Sequence, residues 1–410
     1  MKEFTLDAAG QKRLNDYFEQ IGGVLGKEER KASFAVYAMG LLGEGTRKSM
    51  EPIASRACPD PERVDAQHQR VQHFVTDSPW NDRDVRKEAA QYALSAMTKR
   101  EAVTHWVLDD TGFLKQGRHS VGVQRQYTGS AGKVTNCQIG VSLTVATPTQ
   151  HLPIDFELYL PRGWAEDAER RKEARIPDDV DFRTKPELAL KMVERALEDG
   201  VPPGRVVVDT AYGNSSKFRR ALRRFGLPYA VAVNSTTKVW QLDSLDRRRG
   251  DRTLSVAEYA KQIAEAGGFR RTTWREGTKA SLSARFAARR VLPIADEGIA
   301  RAEREVVWLL IEWEDGEKQP NKFYFITGSR HVTRKQLVRH IKQRWRTERA
   351  YEDLKGEFGL DHFEGRRFGG WHHHVSAVLC CYAFTVAERA RHFPPTAREA
   401  CRDDAHTLAA

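Results

Sequence analysis

The chain has few cysteines and no cysteine pattern. Its five cysteines are spread over 410 residues and form neither a C-x-x-C pair nor a zinc-binding spacing. They are therefore predicted to be reduced thiols in a reducing compartment. No stretch approaches the roughly 20 apolar residues of a membrane span, and the N-terminus, Met1–Asp7, has no apolar signal-peptide segment. These absences predict a soluble cytoplasmic protein with no membrane partner.

Internal repeats and low-complexity tracts are also absent, so the sequence indicates neither a solenoid nor a disordered protein. The chain is 40% hydrophobic and 30% charged, and its length suits two or three domains. Acidic residues are in deficit, with 56 Asp and Glu against 67 Lys and Arg, which gives a net charge of +11. Such a balance favours a polyanionic partner, nucleic acid above all, over a basic surface that serves only solubility.

The first 100 residues carry helical signals only. Apolar residues recur at helical spacing in Phe34–Leu42, and Gly43 and Gly45 close that helix. Proline and aspartate open two further predicted helices, Pro61–Val75 and Asp82–Ala96. The pattern indicates a small helical domain.

Strand and helix signals alternate from about residue 104, which indicates an α/β core. Lys115–Lys133 reads as loops and hairpin turns between strands. The predicted strands are Trp106–Leu108, Val134–Ala146, His151–Leu160 and Val206–Val208, and the predicted helices are Pro186–Leu197 and Ser215–Phe225.

A β-rich segment follows, and it reads as an insertion into the α/β core. Arg247–Gly250 is predicted to be a turn, and the chain becomes helical again at Lys335–Phe358 and Val375–Arg391. The polar run Arg398–His406 predicts a frayed C-terminal tail. The strands predicted in the insertion are Tyr229–Val233, Ala284–Val291, Val306–Trp313 and Phe323–Thr327.

Three carboxylates stand out from this background. Asp110 and Asp209 each follow an apolar run that reads as a strand, and Glu348 lies in a strongly charged helical segment. The carboxyl ends of strands are where ligands bind in open α/β sheets. Carboxylates that share two divalent ions can activate a water and stabilise a leaving oxygen, so the pattern predicts a metal site that acts on a phosphate backbone.

Each carboxylate also has a purely structural interpretation. An aspartate at a strand end often caps the next turn or helix, and Asp109 competes with Asp110 because only one of the two can face a site. On the helix, Arg344, Glu348 and Lys355 fall on one side. An exposed helix held by ion pairs between residues four apart would look the same.

Longer motifs resemble a known family. The chain is similar to transposases of insertion sequences in the IS701 group, within the wider IS4-like DDE superfamily. The resemblance covers nearly the whole chain. The segments that carry it are 109–117, 119–127, 132–138, 208–213, 274–279, 348–356 and 359–366.

The resemblance implies an RNase H-like α/β fold, with a mixed sheet and flanking helices, interrupted by a β-rich insertion and preceded by a helical N-terminal domain. It implies the DDE triad as Asp110, Asp209 and Glu348, and a pair of Mg²⁺ ions, with Mn²⁺ able to substitute, on those three side chains. Relatives carry a Tyr-Arg-Glu-Lys signature, which Arg344, Glu348 and Lys355 match, whereas Ile341 stands at the tyrosine position. The expected domains are 1–100 for DNA binding, 101–228 and 326–393 for the catalytic core, 229–325 for the insertion, and 394–410 for the tail.

DNA contacts are expected in the insertion and on a basic helix. In relatives an aromatic residue of the insertion stacks on a flipped base, and Phe323 is the first candidate here, followed by Trp308 and Trp274. Each of the three could instead be a core aromatic. The helix that carries Lys217, Arg220 and Arg224, and the turn at Arg247–Arg249, would track the DNA backbone or be solvated charge only.

The expected function is that of a DDE transposase that acts on double-stranded DNA. It would bind the terminal inverted repeats of an insertion sequence, cut at the ends with metal and transfer the strand to target DNA, in the nucleoid and as a homodimer. Two alternatives remain: a nuclease with the same core that lacks strand transfer, and a non-catalytic DNA-binding descendant.

Overall fold

The computed structural model describes residues 7–276, 281–294 and 305–392. Within them the chain forms two compact units, each with its own core. The first unit comprises residues 7–103, 109–202 and 346–392, and the second comprises residues 104–108 and the described part of 203–345. The predicted tail, 394–410, and the last residues of the motif that begins at Trp274 lie outside the described residues.

Five helices at the start of the first unit confirm the predicted helical N-terminal region. Asp7 caps the first helix, since its Oδ1 accepts a hydrogen bond of 2.7 Å from the Gly10 amide. The stretch predicted from Pro61 begins with a short 3₁₀ turn, Pro61–Arg63, before the α-helix proper. The helices are α1 (Ala8–Leu25), α2 (Glu28–Leu42), α3 (Met50–Ala57), α4 (Val64–Thr76) and α5 (Asp82–Met97).

A sheet and three further helices follow in the first unit. Strand β1 (His105–Leu114) begins in the second unit and continues into the first from Asp109. It is longer than the predicted strand Trp106–Leu108, so Asp110 lies within a strand and not at its end. The other strands are β2 (Gln124–Thr128), β3 (Lys133–Ala146) and β4 (His151–Tyr159), and the helices are α6 (Arg162–Ala165), α7 (Ala168–Ala174) and α8 (Lys185–Glu198).

Strand β3 is the centre of this sheet. It pairs antiparallel with β2 on one edge and with β4, and the strand order runs β2, β3, β1. Strand β2 falls in the stretch predicted to contain loops and hairpin turns. Gly112 of β1 must be glycine, because an added Cβ would lie 2.0 Å from Oγ1 of the buried Thr128.

The second unit begins with a parallel set of strands, in which β5 (Arg205–Val208) lies between the first residues of β1 and strand β6 (Tyr229–Val233). Helices α9 (Thr210–Gly213) and α10 (Ser216–Arg224) connect β5 to β6. The pairing then becomes antiparallel, and the prediction of a mixed α/β fold is confirmed. The remaining elements are β7 (Lys238–Leu242), β8 (Arg248–Ser255), α11 (Val256–Glu265), β9 (Arg270–Glu276), β10 (Ser281–Pro293), β11 (Val307–Trp313), β12 (Lys322–Ile326) and α12 (Arg334–Ile341).

Three predictions about the second unit need correction. The turn predicted at Arg247–Gly250 is the start of β8, which pairs with β7. The β-rich segment also contains the helix α11, which begins with a reciprocal capping box between Ser255 and Glu258. The single helix predicted over Lys335–Phe358 is interrupted, because a 3₁₀ turn, Lys342–Arg344, separates α12 from helix α13 (Trp345–Gly356).

The last helix, α14 (Phe368–His392), completes the first unit. Of its 25 residues, 18 are buried, so it runs through the core rather than along the surface. It packs on α5, α2, α4 and α1 and on strand β4. The N-terminal helices therefore share one core with the C-terminal helix. Among the helices of the described residues, none is long and apolar enough to cross a membrane.

The contact between α2 and α3 generates the first prediction. An added Cβ at Gly40 of α2 would lie 2.3 Å from Cγ2 of Ile53, a fully buried β-branched side chain on α3. We expect Gly40→Ala to be less stable than Gly23→Ala by about 1–3 kcal/mol in the free energy of unfolding, measured by urea titration. Gly23 is the matched control, since it also lies inside a helix and nothing lies within 4 Å of its added Cβ. Equal stabilities would show that α3 is not packed closely on α2.

Candidate active site

Asp110 lies partly accessible in strand β1, beside a buried neighbour. The side chain of Asp109 is in the core, and its Oδ1 accepts a hydrogen bond of 2.9 Å from the Asp110 amide. The side chain of Asp110 is 17% exposed, and its Oδ2 lies 3.0 Å from Nζ of Lys185. The alternation of a β-strand thus separates the two candidate aspartates, and Asp110 is the one within reach of a ligand.

Lys355 is tied to the same strand. Its Nζ donates a hydrogen bond of 2.7 Å to the Gly112 carbonyl and one of 3.3 Å to Oγ of Ser130. The ammonium also lies 5.5 Å from the centre of the Phe113 ring. Burial lowers the pKa of the Lys355 ammonium below its usual range. A cation is therefore held two residues along the strand from Asp110.

Glu348 projects from helix α13 as an exposed side chain. The helix is anchored three residues further along, where Oη of Tyr351 lies 2.5 Å from Oγ of Ser142 on β3. Arg346 is buried and donates to the Pro148 carbonyl. These contacts fix the backbone from which Glu348 extends.

The charged neighbours of Glu348 have partners and positions that the helical spacing did not predict. Arg349 forms ion pairs with Glu352 at 3.1 Å and with Asp353 at 2.9 Å. Arg344 precedes α13 and belongs to the 3₁₀ turn and to the second unit, so Arg344, Glu348 and Lys355 do not share one continuous α-helix.

Asp209 directly follows strand β5 in the second unit. It caps α9, and its Oδ1 accepts a hydrogen bond of 2.9 Å from the Ala211 amide. Asp209 therefore has the helix-capping role that the sequence left open for it. That role leaves Oδ2 outside the cap. The backbone here is closely packed, because an added Cβ on Gly213 would lie 2.2 Å from the Ala232 carbonyl oxygen.

The donor chemistry of these side chains fits a divalent cation. Carboxylate oxygens are the ligands that Mg²⁺ and Mn²⁺ prefer, and the Lys185 ammonium already places a positive charge against Asp110. Asp110 and Glu348 belong to the first unit and Asp209 to the second. In the part of the chain that the structure describes, no three or more His, Cys, Asp or Glu side chains are gathered in the manner of a metal centre.

The three aromatic candidates for base stacking differ in accessibility. Phe323 is 4% exposed in strand β12, so its ring is a core side chain and no base can stack on it in this conformation. Trp274 and Trp308 are half-buried. Trp274 packs edge-on against Phe286, and Nζ of Lys342 lies 4.3 Å from its ring centre. The indole N–H of Trp308 donates 3.0 Å to the Ser329 carbonyl.

Helix α10 presents a basic outer face. Lys217 and Arg224 are exposed and Arg220 is half-buried, whereas Phe218 and Leu222 lie in the core. The helix is therefore amphipathic, with Lys217, Arg220 and Arg224 on its outer side, whereas Arg219 is buried against the Phe325 ring of β12.

Lys185 is the functional candidate that the sequence did not reveal. It is 75 residues from Asp110 in the chain and lies at the first position of α8, where a lysine is unremarkable. Only the fold brings it to the carboxylate. No single-sequence signal could have identified it.

Comparisons with known proteins agree with one another. A family model described as a DDE superfamily endonuclease matches residues 18–281, and a model described as a transposase DDE domain matches residues 183–384. The chain is also 28% identical over 204 residues to a protein of Microchaete diplosiphon named as a probable transposase for insertion sequence element IS701. That match covers 50% of this chain and 49% of the relative, so the chain spans about half of the length of the curated relative it matches.

A buried histidine on β4, near the arginines of α13, predicts that the stability of the protein depends on pH. Burial, with the guanidinium groups of Arg346, Arg389 and Arg349 adding to it, lowers the pKa of His151 on β4 to about 3. Between the ordinary pKa of about 6.5 and that value, the unfolded chain binds a proton that the folded chain does not. Stability is therefore lost as the pH falls below about 6.5, by about 1.4 kcal/mol per pH unit for this one group.

We expect His151→Gln to lose less stability than the wild type between pH 6.5 and pH 4.5, measured by urea unfolding at each pH. The comparison rests on the slope against pH, so a change in absolute stability does not affect it. The surface variant His331→Gln is the control and should keep the wild-type slope. Identical slopes for all three proteins would exclude a neutral, buried His151.

Proposed function

Since the chain belongs to the DDE superfamily endonucleases, whose family model spans residues 18–281, we propose that it is a transposase. It would act on the ends of an insertion sequence. The observation that carries the proposal is this match, because it includes the strand with Asp110 and the strand followed by Asp209. The transposase DDE model, over residues 183–384, includes Asp209 and Glu348. The IS701 relative supports the same class of DNA as substrate.

Asp110, Asp209 and Glu348 would hold the catalytic metal in this proposal. When two divalent cations are bound, they lower the pKa of a water and stabilise the leaving oxygen of a phosphodiester. The chain itself supplies carboxylate oxygens from three separate elements, β1, the end of β5 and α13. Arg344 and Lys355 would hold phosphate oxygens, for which a fixed cation on a nearly buried stem is well suited.

The reaction would proceed in two displacements at phosphorus. Water first attacks the phosphodiester at the end of the element, and the bond to the 3′-oxygen breaks and leaves a free 3′-hydroxyl. That hydroxyl then attacks a phosphodiester of the target DNA, so that a new bond to phosphorus joins the two, the bond to the target's own 3′-oxygen breaks, and that oxygen leaves as a 3′-hydroxyl. Two ends must be paired for insertion, so a homodimer on DNA is part of the proposal.

DNA recognition would use surfaces outside the acidic side chains. The helical region 1–100 would recognise the terminal repeats, and α10 would track the phosphate backbone. Of the aromatic candidates, the half-buried Trp274 and Trp308 are better placed than the core residue Phe323 to accept a base.

The first test of this function is Glu348→Gln. The substitution keeps the size of the side chain and removes the charge that a cation requires. We expect cleavage of DNA that carries the element ends to fall by about 10²–10³-fold in Mg²⁺ or Mn²⁺, as when one preorganised electrostatic group is removed, while end binding persists. Glu352→Gln is the matched control, because Glu352 lies four residues further along α13 and pairs with Arg349.

The outcomes separate the alternatives. Equal cutting by wild type and Glu348→Gln would remove Glu348 from the site, and a loss in Glu352→Gln instead would transfer its role to Glu352. Cleavage without joining, when pre-cut ends are offered with target DNA, would indicate a nuclease. Binding without cleavage by the wild type would indicate a DNA-binding descendant.

The basic face of α10 is tested by salt. Each phosphate contact that a cation makes contributes roughly 0.9 to the slope of log affinity against log salt concentration. We expect the triple variant Lys217→Gln, Arg220→Gln, Arg224→Gln to lower that slope by about 2–3 in DNA-binding titrations.

A matched triple variant removes three cations from α6 and α7: Arg162→Gln, Arg170→Gln, Lys172→Gln. It changes the net charge by the same amount and should leave the slope near that of the wild type. If both triple variants lower the slope equally, DNA responds to total charge and α10 is not a specific contact.

A further inference from the structure

Lys185 is held at Asp110 by local structure that fixes where its side chain begins. It is the first residue of α8, directly after the N-cap Thr184. Oε2 of Glu187 accepts hydrogen bonds of 2.8 Å and 2.7 Å from the amide and hydroxyl of Thr184, which ties the first turn of α8 to its N-cap. The backbone of Lys185 is thus fixed, while its four-carbon stem keeps its rotational freedom.

The contacts of the ammonium group leave it able to move. Nζ of Lys185 lies 3.0 Å from Oδ2 of Asp110 and 5.9 Å from the centre of the Tyr159 ring. The side chains of Lys185 and Asp110 are 26% and 17% exposed, so water reaches the pair. A partly exposed ion pair contributes little to the free energy of folding, so the ammonium can exchange its partner at little cost in free energy.

Two lysine ammonium groups lie along β1 in the first unit, Lys185 at Asp110 and Lys355 at Gly112. Lys355 donates to a carbonyl and a hydroxyl, neither of which carries charge. The charges of Lys185, Lys355 and Asp110 all affect the pKa of the Cys137 thiol on β3, so the three side chains lie near one another. Burial raises the pKa of its thiol, the Lys185 and Lys355 ammonium groups lower it, and the Asp110 carboxylate raises it. Two ammonium groups beside one strand are a surrounding that suits an anion with several oxygens, such as a phosphodiester.

We propose that Lys185 is an exchangeable counter-ion: it neutralises Asp110 while no divalent cation is bound, and its ammonium passes to the scissile phosphate when the carboxylate becomes a metal ligand. The phosphate half of this inference rests on the proposed function, and the counter-ion half does not. Lys185 would make Asp110 alone a weak ligand, so that firm metal binding needs the other two carboxylates as well. The same lysine would then hold the substrate that those ions act on.

The counter-ion half is tested without DNA. Binding of Mn²⁺ to the full-length protein is measured by the electron paramagnetic resonance signal of the free ion. We expect Lys185→Gln to bind Mn²⁺ about two- to fivefold more tightly than the wild type, the factor that corresponds to losing one partly exposed competing ion pair. Lys191→Gln, an exposed lysine on the same helix, should match the wild type.

The gain must also depend on Asp110. Adding Asp110→Asn to Lys185→Gln should abolish the tighter binding. An affinity in Lys185→Gln that equals or falls below that of the wild type would overturn the exchange. A gain that survives Asp110→Asn would overturn it as well, because the ion would then bind elsewhere.

The phosphate half is tested by single-turnover cleavage of element ends at saturating Mn²⁺. We expect Lys185→Gln to be slower by about 10–100-fold despite its tighter metal binding, and Lys185→Arg to recover most of the rate. A Lys185→Gln rate equal to that of the wild type would overturn this half. If the wild type does not cut at all, the proposed function fails, and the Mn²⁺ measurements still decide whether Lys185 is the counter-ion.

Discussion

A polar group on a buried helix costs free energy unless it is hydrogen-bonded, and α14, with 18 of its 25 residues buried, is under this constraint. Three consecutive histidines lie on it. The ring nitrogens of His373 lie 2.9 Å and 3.0 Å from the carbonyl oxygens of Val75 and Trp80, and Nδ1 of His374 lies 2.7 Å from Oη of Tyr37. These bonds join α14 to the N-terminal helices, while the helix packs on β4 from another side. The sheet that carries Asp110 thus depends on the order of α14.

Sequence patterns predicted those parts of the fold whose determinants are local. Asp82 and the apolar period after it define α5 almost to the residue, and Tyr229–Val233 is a strand with the predicted bounds. Among the parts of the fold that escaped prediction are the second half of β1 and helix α11, whose determinants are not apolar. Strand β1 continues through Asp109, Asp110 and Gly112 since its neighbours supply backbone partners, and α11 relies on a capping box within a segment of strands.

In the candidate site, too, the features that could be predicted are those determined by residues close together in the sequence. Alternation along one strand was sufficient to infer that only one of Asp109 and Asp110 faces outward, and the cap on α9 was one of two roles considered for Asp209. The contact between Lys185 and Asp110 is of another kind. It joins residues on separate elements through the path of the whole chain, and composition or spacing carries no trace of it. The break between α12 and α13 likewise removed Arg344 from the helix that spacing had assigned to it.

The order of the segments in the first unit has a consequence for biosynthesis. Helix α5 ends at residue 97, and its partner α14 begins at residue 368. At roughly 5–20 residues per second, a ribosome needs on the order of 15–50 s to make the chain between them. During that time the apolar faces of the N-terminal helices have no partner from α14, and helix α13, with Glu348, emerges only shortly before that partner. A nascent chain therefore cannot assemble this unit until nearly all of the described chain has been synthesised, and folding on the ribosome is delayed for the part of the molecule that would cut DNA.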